Sequence, residues 1–209
     1  MKAISAKPLS KPSSGLHHCV ARQVEAISYG IIHHAVNIKE IIATIKQMQA
    51  DGVIGEYAIG GAVAATFYLV EPDTTKDIDI FVSMNPAPGQ SVVSPQQIFS
   101  WLRAQGYQID AQGCVRIADW PVQFLPPSTP LVEEALQGAI ERDVEGMPVR
   151  VFTLEHLAAI ALEVGRPKDK TRLVRFLESK EFNEALFSEI LERNELLERW
   201  AKFKKQMLD

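Results

Sequence analysis

The stretch Lys76-Asp-Ile-Asp-Ile-Phe-Val82 alternates strictly. Ile78, Ile80 and Val82 fall on one side of an extended chain, and Asp77, Asp79 and Phe81 on the other. Acidic residues are rare in strands that otherwise read as buried. Two of them on one face, roughly 6.6 Å apart at the backbone, repel each other unless a cation lies between them. Oxygen-only ligands at this spacing suit Mg2+. The plain alternative is an edge strand with one solvated face. Solvation accounts readily for Asp77, less so for both carboxylates beside the apolar Phe81.

Upstream, Glu56–Ile59 reads as a short strand that enters Gly60-Gly61, and Ala62–Leu69 reads as a helix. A strand that ends in two glycines at a helix start turns backbone N–H groups towards one point and lets the backbone approach an anion. A tight turn required by packing explains the same glycines. The order of the two features, Gly-Gly turn and then Asp-x-Asp strand, favours phosphate and metal chemistry over either feature alone.

Around this centre the chain divides into three parts. Residues 1–37 form an amino-terminal extension, whose first 16 residues are rich in Pro, Ser and Lys and are expected to be a mobile tail. Residues 38–152 mix helices and strands. Ile41, Ile42, Ile45 and Met48 mark a helix over 38–50. Ser94-Pro95 with Gln97 predicts a capped helix start. Short strands are expected at Tyr107–Ile109, Cys114–Ile117, Val122–Leu125 and Val149–Phe152, with a turn at Ala118–Pro121 and a helix at Leu131–Ala139. From residue 153 to 209 the pattern is helical: one helix capped by Thr153 and stopped at Gly165–Pro167, a second over 168–178, and a third carrying Phe182, Leu186, Ile190, Leu197 and Trp200. The fold class is α+β with a helical carboxy-terminal part.

Net charge −4 offers no general attraction to nucleic acid or anionic membranes. Cys19 and Cys114 make no disulfide framework, and no apolar run reaches membrane-spanning length, so a cytoplasmic protein is expected. The pairs His17-His18 and His33-His34 lack the neighbours of a metal cluster, and His156 reads as a surface residue.

The segment Tyr57–Val82 resembles the signature of the polymerase-β-type nucleotidyltransferases, and is most similar to small stand-alone bacterial members related to AbiEii-type toxins. The run Val151–Leu177, with Gly165, Arg166, Lys168 and Asp169, resembles their Gly-Arg-x-Lys-Asp segment. The resemblance covers about residues 38–180. It implies a mixed β-sheet with helices against one side and the active site on the other. It further implies an NTP bound with Mg2+ or Mn2+, Gly60 and Gly61 at the triphosphate, and Asp77 and Asp79 as catalytic metal-binding carboxylates. Lys76, Arg166 and Lys168, joined by Arg172, are the candidate cationic contacts to phosphate. The implied reaction moves a nucleotide to a hydroxyl on RNA, protein or a small molecule, and a toxin–antitoxin partner protein is a further implication. Where the family places a third carboxylate, this chain has Gln123, which can ligate through its carbonyl oxygen but carries no charge and cannot act as a base. A homologue that binds nucleotide without turnover is therefore the competing expectation.

Overall fold

A computed structural model describes residues 38–71, 75–83 and 94–207. The expectations for residues 1–37, including both histidine pairs and Cys19, lie outside the described residues, as does the loop 84–93.

The described chain runs α1 (Ile38–Ala50), β1 (Tyr57–Ile59), α2 (Gly61–Ala65), β2 (Ile78–Val82), α3 (Pro95–Ala104), β3 (Cys114–Ile117), β4 (Trp120–Leu125), α4 (Pro130–Gln137), β5 (Ile140–Val144), β6 (Met147–Val151), α5 (Leu154–Val164), α6 (Pro167–Leu177), α7 (Glu184–Arg193) and α8 (Leu197–Met207). The strands form one six-stranded sheet in the order β3-β4-β2-β1-β6-β5. The sheet is mixed: β2 runs parallel to β4 and β1 to β6, while β1–β2, β3–β4 and β5–β6 are antiparallel. The architecture is α+β.

Local chemistry fixes both outer hairpins. Ala118 and Asp119 take φ of 51° and 64°, and Glu145 and Gly146 take 51° and 85°. These two-residue turns have the left-handed backbone that matches the twist of paired strands. The first sets Val115 opposite Val122 and Cys114 opposite Gln123. The capping expectations hold: Gln97 Oε1 accepts from Ser94 N at 3.2 Å ahead of Pro95, and Thr153 Oγ1 accepts from His156 N at 3.3 Å.

Several elements differ from the sequence reading. The expected helix 62–69 is a single turn, Gly61–Ala65, because Phe67, Tyr68 and Leu69 leave it to bury their side chains and Tyr68 Oη donates to Phe152 O at 2.8 Å. Tyr107–Ile109 makes only an isolated bridge from Ile109 to Val115. Strand β5 was not expected at all, since Ile-Glu-Arg-Asp-Val is a charged edge strand with little apolar alternation. The single third helix is two, α7 and α8, broken at Glu195, whose φ is 58°.

Residues of α5 (Leu154, Leu157, Ala158, Ala161, Leu162) share one buried cluster with the sheet and α1. Each fully buried leucine there contributes about 1.5–3 kcal/mol, so the helical segment is packed onto the α+β core. Among the described residues no helix is long and apolar enough to cross a membrane.

Candidate functional site

Strand β2 buries Ile78, Ile80 and Val82 and leaves Asp79 and Phe81 half-buried on its other face. Gly60 N donates to the backbone oxygen of Asp79 at 3.0 Å, which draws the glycine turn against this face. Both glycines are needed for that approach. A Cβ on Gly60 would run into the Phe81 ring and stand 3.0 Å from Phe152 Cε2. A Cβ on Gly61, whose φ is +59°, would overlap Asp79 Oδ2. The turn and one carboxylate are therefore in direct contact.

Asp77 precedes the strand and is restrained at both oxygens. Gln123 Nε2 donates to its Oδ2 at 2.9 Å, and the Thr75 hydroxyl lies 3.3 Å from its Oδ1 while also donating to its backbone oxygen at 2.9 Å. Gln123 arrives through register: β2 and β4 are parallel with Asp79 opposite Gln123, and β3 adds Cys114 opposite Gln123. Asp79, Gln123 and Cys114 thus form one row across three strands.

The electrostatics of the row are unbalanced. Burial, then the neighbouring Asp77 charge, push the Asp79 carboxyl above its usual range, while Lys168, Arg172 and Arg166 pull the other way. These three cations come from α6 and the residue before it, so the charges of the Gly-Arg-x-Lys-Asp stretch and of Arg172 act on Asp79. Arg166 is tied by its Nε and Nη2 to Asp169 at 2.6 and 3.3 Å. That bond to Asp169, opposed by slight desolvation and helped by the charges of Asp169 and Asp79, raises the Arg166 guanidinium. Lys76 is exposed beside Asp77. Cys114 was not singled out as a site residue. Burial pushes its thiol up, Asp110, Asp77 and Asp79 add to this, and a hydrogen bond with Gln123 opposes it. Its position was readable in principle, because a two-residue turn at 118–119 pairs 117 with 120 and hence 114 with 123.

The donor chemistry fits a hard divalent cation such as Mg2+ or Mn2+, which takes one or two protein carboxylates and completes its shell with water and phosphate oxygens. Asp77 and Asp79 supply the carboxylates. Gln123 turns its amide nitrogen to Asp77, leaving its carbonyl oxygen as the other polar atom. Among the described residues no three His, Cys, Asp or Glu side chains gather as a metal-ligand set. With α2 reduced to one turn, the helix end adds little field, and the positive charges that act on Asp79 are those of Lys168, Arg172 and Arg166.

No family model and no curated protein matches this chain. Among solved structures, the crystal structure of an antigenic nucleotidyltransferase-like protein from Paracoccidioides brasiliensis is similar over 79% of this chain and 92% of that one, with 16% sequence identity and a TM-score of 0.49.

Proposed function

We propose that this chain is a nucleotidyltransferase-type protein that binds an NTP with its divalent cation and passes the nucleotide to a hydroxyl acceptor on RNA, protein or a small molecule. One observation carries the reading: Asp79 touches the Gly60-Gly61 turn while Lys168, Arg172 and Arg166 bear on the same carboxylate. Acidic groups for a cation, a backbone that a phosphate chain can approach, and cationic side chains then act at one place. In this reading Asp77 and Asp79 hold the cation, which supplies positive charge to the phosphate oxygens. Gly61, at the start of α2, brings its main-chain N–H to the phosphate tail, while the Gly60 N–H holds the turn on the Asp79 carbonyl. Lys168, Arg172 and Lys76 offset the phosphate charge, and Arg166 is oriented by Asp169.

A second reading, nucleotide binding without turnover, is favoured by Gln123, because an amide cannot take the proton of an attacking hydroxyl. Loss of that base lowers a rate by roughly 10²–10⁴. The test is incubation with each α-labelled NTP, Mg2+ or Mn2+, and a cell extract. Metal-dependent NTP binding that Asp77→Asn with Asp79→Asn removes is expected, and label on an acceptor distinguishes transfer from binding alone. Binding that is indifferent to both substitutions overturns the assignment.

A further inference from the structure

Two-cation sites of phosphoryl chemistry place their ions roughly 3.5–4 Å apart and clamp both the attacking and the leaving oxygen. Such a pair brings four positive charges, which anionic ligands must offset. The row described above is poor in them. It has two carboxylates, Asp77 and Asp79, and the positive charges of Lys168, Arg172 and Arg166 already act on Asp79. The position opposite Asp79 is filled by Gln123, whose Nε2–H₂ points at Asp77 Oδ2 at 2.9 Å. An amide N–H presents positive charge and has no lone pair for a metal. The next position in the row is the Cys114 thiol, a soft donor beside hard oxygens.

We propose that Asp77 and Asp79 form a seat for one divalent cation only, the one that accompanies the nucleotide, and that Gln123 is a positioning residue that fixes Asp77 and closes the place of a second ion. This rests on the nucleotide-binding reading above and sharpens it. Gln123 and Thr75 grip opposite oxygens of Asp77, so the carboxylate presents its remaining lone pairs in one orientation. Outer partners of this kind typically change metal affinity by about 10–100-fold when removed. The α6 cations make the seat unattractive to a bare ion and attractive to a cation already carrying phosphate.

The experiment counts Mn2+ per bound nucleotide by electron paramagnetic resonance, using the full chain and the non-hydrolysable α,β-imido analogue of each of the four ribonucleoside triphosphates in turn. The wild type is expected to bind one Mn2+ per nucleotide. Gln123→Asp is expected to take up a second ion. Gln123→Leu should keep one ion but bind it about 10-fold more weakly, with Thr75→Val shifting affinity in the same direction should Gln123→Leu fail to fold. Two ions per nucleotide in the wild type overturn the inference and leave the nucleotide-binding reading standing. So does unchanged Mn2+ affinity in Gln123→Leu or, if that variant does not fold, in Thr75→Val. No Mn2+–nucleotide binding beyond that of the Asp77→Asn, Asp79→Asn double variant overturns both.

Discussion

Two polar clusters in this molecule are built from similar residues and behave in opposite ways. Glu134 on α4 lies 2.6 Å from Arg193 Nη2, accepts from Asn194 Nδ2 at 2.7 Å, and stands 3.5 Å from His156 Nε2. Burial alone would raise its pKa, yet the hydrogen bonds from Arg193 and Asn194 and the charges of Arg193 and His156 hold it below the usual value. Asp79, half-buried on β2, is pushed the other way, by burial and by Asp77. The first cluster contains its own counter-charge and fastens α4 and α5 to the end of α7. The second brings two acids together, with one bonded to a neutral amide. A protein that needed only to fold would gain by pairing them. In the reading proposed above, this close pair of acids is where the cation and its nucleotide bind.

The sharpest way to break this contrast is Gly61→Ala. The added Cβ meets Asp79, and an alanine held at φ +59° itself costs about 1–3 kcal/mol. Loss of Mn2+–nucleotide binding and a lower urea midpoint are expected; binding at wild-type affinity would show that the turn–carboxylate contact is only packing. Glu134→Ala should lower stability by roughly 0.5–1.5 kcal/mol, the range for losing an ordinary hydrogen bond, since the Arg193 pair is solvent-exposed and adds little. Nucleotide affinity of the folded fraction should not change, and urea unfolding beside equilibrium dialysis reads the two separately. The smallest effect is expected from Asp79→Asn. Because the folded-state pKa of Asp79 lies above its unfolded value, the folded chain binds the proton more readily, and stability falls as pH rises through that range and stays lower above it. Asp79→Asn should therefore raise Tm without metal at neutral pH, with the gain shrinking towards zero below the carboxylate range. Calorimetry at several pH values checks the sign, and a lowered Tm at neutral pH would place Asp79 among the structural acids with Glu134.

The turn and the strand at the centre of the candidate site were legible because they are local. Alternation in 77–82, the paired glycines and the caps at Ser94 and Thr153 each depend on a few neighbouring residues, and the strand, turn and helix starts follow them. What the sequence concealed depends on tertiary context. His156 reads as a surface residue but is buried against Glu134 and Thr153, with its ring pKa lowered by burial. Strand β5 is charged because it sits at an edge, so its pattern carries no core face. The break between α7 and α8 falls within an unbroken apolar periodicity, and it forms where Asn194 turns its amide to Glu134, about 60 residues away. The cations of α6 could be named from the sequence, but their approach to Asp79 is a property of how α5 and α6 pack.

The pairing of β1 with β6 has a consequence for how the protein comes into being. Ile59 finds its sheet partner at Val151, about ninety residues later, a closure whose entropic cost precedes any contact it gains. On a ribosome the glycine turn and both aspartates emerge early and must wait while β3, β4 and the β5–β6 hairpin are made. During that interval one edge of β1 has no neighbour, and its wholly apolar Tyr-Ala-Ile surface is open to chaperones and to other nascent chains. A chain interrupted before residue 147 would carry Asp77 and Asp79 but neither β6 and Phe152, against which the turn packs, nor the α6 cations, so premature termination should give aggregation rather than a smaller working domain.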